Sequence, residues 1–497
     1  MPAHYLEFLL LGFGLVLLLV EAFVPLRDKS FIGKLAAAGL LVAFGLLFAI
    51  DRNPVQSDVF ANYYHVDAAA LFFKGIAILT TFCVVLLGLD FLPVLKQGIN
   101  GASDSERTSQ GGIAEFFSLP IFACAGLMWM ASAKDLITMF VALETVTITF
   151  YVMVSSMRRN VGSLEAGVKY LILGALSTGV LVFGMAWVFG ATGTLSLEVL
   201  TNAGPEQWAT WSSSSALLFG VALVLISLGF KVGAVPMQVW IPDVYQGAPT
   251  PITGFLSVGS KAAGFIVLWR FVQPFLGRGE LTETILLILA VMTAATLLVG
   301  NLAALGQSNF KRLLAYSSIA HAGFLLLGLV AGTPLTVLGF YLGAYLLMTF
   351  LAFAVLAIVR VKTGSDELVA FNGLAKRSPF LAFALVVAVS SLAGVPGTAG
   401  FIGKFLIIMG TVSASAWVLL GFAVLGAASG FYYYLKVLRN VFWLEGSEDS
   451  ITVTPLTKAF ITVLIAAIFF FGIYPKPIFD ALGVQTTETA TELVSQP

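Results

Sequence analysis

Charge is what this chain has least of. Only 10% of its 497 residues are Asp, Glu, Lys or Arg, where a soluble protein of that size carries about 25%. That shortage excludes an ordinary soluble domain. Cysteine is nearly absent as well. Cys83 and Cys124 stand alone, so neither a disulfide framework nor a cysteine-held metal or iron–sulfur site is expected. Three histidines occur, none paired at haem-ligand spacing. The chain has no glycine-rich phosphate loop after a strand, no Walker loop and no CxxC pair. It is therefore expected to bind no redox cofactor, no metal and no ATP. Its formal net charge of zero gives no reason to expect a nucleic-acid partner.

What fills the space is apolar. Mean hydropathy is +0.98, and runs long enough to cross a bilayer recur along almost the whole length. They do not alternate polar with apolar residues, so a membrane β-barrel is excluded. The pattern predicts an all-α polytopic membrane protein of about fourteen transmembrane helices: 4–24, 32–50, 66–92, 113–132, 134–156, 162–190, 213–245, 250–276, 282–305, 308–331, 335–360, 378–413, 416–444 and 455–475. The first run lacks a small-residue cleavage site and reads as a retained helix. The longest polar connections are expected near 93–112 and 191–212, and a polar tail from Asp480. Loops after odd helices, with their flanks, hold sixteen Lys and Arg residues, among them Arg27 and Arg107; the others hold five, including Arg52. That asymmetry places odd loops in the cytoplasm of a bacterial cell and both termini on the non-cytoplasmic side of its inner membrane. His4 and His65 then fall at the outer face.

Five lysines remain inside spans: Lys74, Lys169, Lys231, Lys261 and Lys404. Glu144, Lys261 and His321 fall near mid-membrane, where each costs roughly 2.5–3.5 kcal/mol to insert. They must face protein, water or one another. Burial disfavours the charged form and pairing favours it, so moving one neighbour can switch such a group between protonation states. That is the chemistry of a proton relay. Lys74 lies near the outer end of its helix and reads as a snorkelling lysine. Lys169 follows Glu165 by four residues, a surface ion-pair spacing, and reads equally as structural or functional. Lys311 and Arg312 read as interfacial anchors, Asp135 and Asp243 as interfacial acids.

Two spans carry their own breakers. "GFKVGAVPMQVWIPDVYQGAPTP", 229–251, places Gly233 and Pro236 beside Lys231; "SLAGVPGTAGFIGKF", 391–405, places Gly394, Pro396 and Gly397 ahead of Lys404. Broken helices survive at membrane depth only where protein or water satisfies the freed backbone. Helices 7 and 12 lie five spans apart and must run in opposite directions, as inverted repeats require. The expected organisation is helices 1–3 (1–112), a first five-helix repeat of helices 4–8 (113–280), its inverted copy of helices 9–13 (281–445), and helix 14 with the tail (446–497).

These stretches, with "SLEAGVKYLILGA" at 163–175 and "NFKRLLAYSSIAHAGFLLLG" at 309–328, resemble the antiporter-like membrane subunits of respiratory complex I. Within that family the PDVYQGAPTP run and a lysine at 404 resemble subunit N (mitochondrial subunit 2). The resemblance is strong over roughly 113–445. It implies that Glu144 pairs with Lys231, that Lys169 lies near that pair, and that Lys261, His321 and Lys404 continue a hydrated axis of proton transfer. It implies partners too: neighbouring antiporter-like and small helical subunits in the same lipid bilayer. NADH, FMN, iron–sulfur clusters and quinone are expected on those partner subunits, not here. Where the family often has a histidine in the seventh-helix break, this chain has Gln238, which can order water but holds no proton near neutral pH. The same fold serves in multisubunit sodium/proton antiporters and membrane-bound hydrogenases. That alternative stays open at this stage, beside a scaffold that moves no ions.

Overall fold

The computed structural model describes residues 2, 4–24, 29–50, 63–100, 112–212 and 214–483. Arg27, Arg52, Arg107 and the tail from 484 lie outside the described residues. Within them the expected spans appear in order. The first six are His4–Phe23, Ser30–Leu47, Ala68–Asn100, Ile113–Ser132, Leu136–Val154 and Val161–Thr192. The seventh is Ser215–Val232 with a second piece, Met237–Gly247, and the eighth runs from Thr250 to Phe275. Glu280–Leu305, Phe310–Val330 and Leu335–Thr363 are the ninth to eleventh. The twelfth is split into Pro379–Ala393 and Ala399–Ser413; Trp417–Trp443 and Pro455–Ile473 complete the set. Thirteen helices are long and apolar enough to cross a membrane, and the split twelfth adds two shorter apolar ones.

Two connections expected as loops are partly helical. The third span runs past Pro93 to Asn100, because Phe91, Leu95 and Ile99 keep one buried stripe at i, i+4 spacing while the proline ring points outward. Between spans six and seven, short helices Leu197–Asn202 and Pro205–Ser212 bury Leu197, Leu200 and Trp208.

Burial sorts the spans. The apolar windows of the eighth, tenth and eleventh are 94, 89 and 89% buried, against 28% in the first, sixth and fourteenth. The former are walled by protein on every side; the latter form the rim. A charge on the eighth or tenth helix therefore faces other helices whatever its orientation.

Lys74 does not snorkel. It is fully buried, 3.0 Å from the equally buried Glu7 and bonded to the Tyr64 hydroxyl, so it ties the third span to the first. Near it, the buried Arg270 binds Asp67 at 2.8 Å. Burial, and after it the Arg270 charge, holds His65 down to about 4, so this histidine stays neutral at ordinary pH.

Candidate functional site

The seventh span ends where its sequence stops being helical. Gly233 closes it at φ 82°, a left-handed conformation that costs a residue with a β-carbon about 1–2 kcal/mol. An added β-carbon there would also meet Ile241 at 2.4 Å. The freed backbone is satisfied locally. The Trp240 indole donates to the Phe230 carbonyl at 3.0 Å, and Thr296 of the ninth span accepts from the Val235 amide at 2.9 Å. Lys231 occupies the last turn before this break, where a helix terminus favours a cation. It is 5% exposed and donates to the Thr147 hydroxyl.

The twelfth span repeats the device. Gly394 (φ 92°) and Gly397 (φ 87°) open the chain between the half-helices. Lys404 then reaches back to the carbonyls of Leu392 and Ala393, at 2.7 and 3.2 Å. These are among the carbonyls the helix end leaves without intrahelical partners. Gly394 is required twice over, because a β-carbon there would press on the Lys404 side chain at 3.1 Å.

Between the breaks lies Lys261, 2% exposed. A π-turn over Leu256–Ser260 immediately precedes it and re-aims the helix at that point. Its Nζ donates to the Ser318 carbonyl and to Ser318 Oγ, the latter at 2.6 Å. One turn along the tenth span, His321 meets the Tyr341 hydroxyl at 2.5 Å through Nδ1 and the Tyr434 hydroxyl at 3.4 Å through Nε2. The Tyr341 ring packs against Gly403, the residue before Lys404.

The seam is closed on the other side too. Lys231 packs along Gly264, one turn beyond Lys261. Ser227, one turn before Lys231, bonds Ser177 at 3.1 Å, and the adjacent Thr178 donates to Glu144 at 2.7 Å. The polar contacts thus fall into groups, Glu144 with Thr178, Lys231 with Thr147, and Lys261 with Ser318 and, a turn on, His321, joined by packing at Gly264 and Gly403.

The structure corrects three expectations. Glu144 and Lys231 form no ion pair among the described residues: Lys231 is held by Thr147, three residues along the fifth helix, and Glu144 by Thr178. Lys169 bonds neither of them among the described residues. Its side chain is 42% exposed and pairs with Glu165 and Asp243, both at 2.8 Å. It precedes Thr178 by nine residues, about 13 Å along the helix. The i, i+4 spacing to Glu165, a surface pattern, was the better guide. Lys311 is no anchor: it is 1% exposed, donates to the Ala248 carbonyl at 2.9 Å and faces Asp366 at 3.3 Å. Arg312 is partly exposed and binds Asp243 at 2.7 Å. Gln238 lies in the seventh-span break with its carbonyl oxygen buried and unpartnered, a position suited to water.

Sequence reasoning missed the hydroxyls: Thr147, Thr178, Ser318, Tyr341, Tyr345 and Tyr434. Tyr341 and Tyr345, one turn apart deep in an otherwise apolar span, were the available signal. Among the described residues no group of three His, Cys, Asp or Glu is arranged to hold a metal. Lys231, Lys261 and Lys404 are bonded by neutral oxygens alone.

Residues 133–429 match the family described as NADH:quinone oxidoreductase/Mrp antiporter, TM. The chain belongs to that antiporter-like family. Similar members over nearly full length are named NADH-quinone oxidoreductase subunit N. One from Desulforamulus reducens is 38% identical over 481 residues, 96% of each chain. One from Rhodospirillum rubrum is 34% identical, covering 98% of this chain and 97% of that one. Among solved structures, a chain of respiratory complex I from Thermus thermophilus with bound aureothin superposes with a TM-score of 0.79 at 33% identity, covering 96% of this chain and 99% of that one. A chain of the Mrp complex from Dietzia shares the antiporter-like fold, with a TM-score of 0.75 at 20% identity over 96% of both.

Proposed function

We propose that this chain is the N-type, proton-translocating membrane subunit of an NADH:quinone oxidoreductase, and that protons move along Glu144, Lys231, Lys261, His321 and Lys404. One observation carries the reading. Three lysines on apolar spans, Lys231, Lys261 and Lys404, are buried and held by uncharged oxygens. A lysine held in this way can surrender its proton without stranding an unpaired carboxylate. A lysine kept for structure has a reason to sit on an anion, as Lys74 does on Glu7.

The switch is the gap between Glu144 and Lys231. Lys231 rests on Thr147, and a shift of about 4.5 Å along the fifth helix carries it to Glu144. Pairing there stabilises the charged lysine; separation drives its proton toward Lys261. Ser318 and the tyrosines around His321 supply donors and acceptors that let water complete the path to Lys404. Residues 113–280 and 281–445 act as inverted halves, each contributing one broken helix and its lysine. Redox energy arrives from neighbouring subunits of the complex, which carry NADH, FMN, iron–sulfur clusters and quinone. The chain sits in a bacterial inner membrane with both termini on the non-cytoplasmic side. Lys169 stands outside the relay.

Glu144→Ala and Lys231→Ala should each depress proton-coupled quinone reduction in membranes on the order of tenfold or more. NADH oxidation by an artificial acceptor should stay intact. Normal coupled turnover in both variants would overturn the relay. The sodium/proton antiporter alternative has the fold-level likeness to the Mrp complex behind it, whereas the subunit N relatives from Desulforamulus reducens and Rhodospirillum rubrum match at 34% identity or more over nearly the whole chain.

A further inference from the structure

A cavity of about 570 Å³ opens at the end of the bundle where the fifth-to-sixth, seventh-to-eighth, ninth-to-tenth and eleventh-to-twelfth connections meet. All four follow odd spans, which is the cytoplasmic side on the reading above. Equal numbers of cationic and anionic side chains line it, so it has no net charge with which to hold an anionic ligand. Asp243 is taken by Lys169 and Arg312, and Glu367 by Asn309 at 3.0 Å. On the inner wall Asp366, 6% exposed, binds Arg360 and Lys311 through Oδ2. Its Oδ1 is buried and has no partner.

Lys311 stands on this wall, its ammonium between Asp366 and the Ala248 carbonyl. It lies seven residues before Ser318 on the tenth span, two turns away on the same face and about 10 Å along the axis. Ser318 is the residue that receives Lys261. The interval is not purely apolar. Lys311 touches the Ala248 carbonyl; two residues on, the fully buried Thr250 carries a hydroxyl with no partner; and the Tyr245 hydroxyl meets Ser318 at 3.2 Å. Two unpartnered polar atoms, Asp366 Oδ1 and Thr250 Oγ1, thus belong to the residues around a buried ammonium.

Resting on the relay assignment, we infer that Asp366, Lys311 and Thr250 form the loading site through which Lys261 takes protons from the cytoplasmic cavity. Asp366 Oδ1 accepts a proton from hydronium, leaving water, and its loss of charge frees the Lys311 ammonium. Lys311 passes its proton, over water held by Thr250 and Ser318, to the neutral amine of Lys261. Asp366 then returns the accepted proton to Lys311 and becomes a carboxylate again. One proton has moved from the cavity to Lys261, and both loading residues are reset.

The test uses the assembled complex in liposomes, reading protons pumped per electron and the H₂O/D₂O rate ratio. Thr250→Val keeps shape and charge. It should slow coupled pumping on the order of tenfold, the equivalent of about 1.4 kcal/mol for a lost hydrogen bond, and raise the isotope ratio. Asp366→Asn should slow pumping at least as much while artificial-acceptor NADH oxidation is retained. If Asp366→Asn fails to assemble, Thr250→Val alone decides. Wild-type pumping in Thr250→Val overturns the loading site. The relay itself falls only if Lys231→Ala also pumps normally, so the two failures are distinguishable.

Discussion

Lys74 and Lys261 are equally hidden, yet their surroundings give them different work. Lys74 has a carboxylate at 3.0 Å and a tyrosine hydroxyl; Lys261 has a serine. Sequence reports how deep a lysine lies but not who meets it there. Glu7 is 67 positions from Lys74 and Ser318 is 57 from Lys261, distances over which only the folded bundle decides partners. Depth and the helix breaks together lead to Lys231, Lys261, His321 and Lys404, all of them buried, but depth misjudged Lys74 and Lys311. Gln238 is the residue where the family pattern and this chain part. Its carbonyl oxygen is buried without a protein partner, which fits a water bridge from Lys231 to Lys261; without that bridge the link is weaker here. Gln238→His should change the proton-to-electron ratio in liposomes little. A large gain would mean that a titratable group had been missing from that link.

At the scale of elements, the breaks in spans seven and twelve were legible because glycine and proline write them into the chain. The π-turn before Lys261 was not: "LSVGS" holds one glycine, Gly259, and no proline, too little to announce an extra residue in a helical turn. The third helix also outran its expected end, since buried Leu95 and Ile99 outweighed the proline at 93. The first and third spans are joined by Glu7 and Lys74, and that joint can be broken deliberately. Lys74→Met leaves a buried, uncompensated carboxylate, a loss of about 3–5 kcal/mol. It should lower the thermal midpoint of the detergent-solubilised complex. Adding Glu7→Gln should recover part of the loss, and a Lys74→Met midpoint equal to wild type would mean that the pair stabilises nothing.

For the whole molecule, composition and hydropathy fix the class, and the distribution of Lys and Arg suggests an orientation. The packing explains how so apolar a chain carries charge at depth. The eighth, tenth and eleventh spans are enclosed by the others; Lys261 and His321 lie on them, Lys231 packs on Gly264 of the eighth and Tyr341 of the eleventh packs on Gly403 beside Lys404, while Glu144 is bonded to Thr178 of the sixth. Lys169 lies outside that enclosure, on a rim helix. The comparison of Lys169 with Lys261 tests the account most directly: proton-to-electron ratios of the reconstituted complex carrying Lys261→Ala or Lys169→Ala. The buried seam predicts a ratio that falls in Lys261→Ala and stays close to wild type in Lys169→Ala. The reverse order, or no change in either, would contradict it.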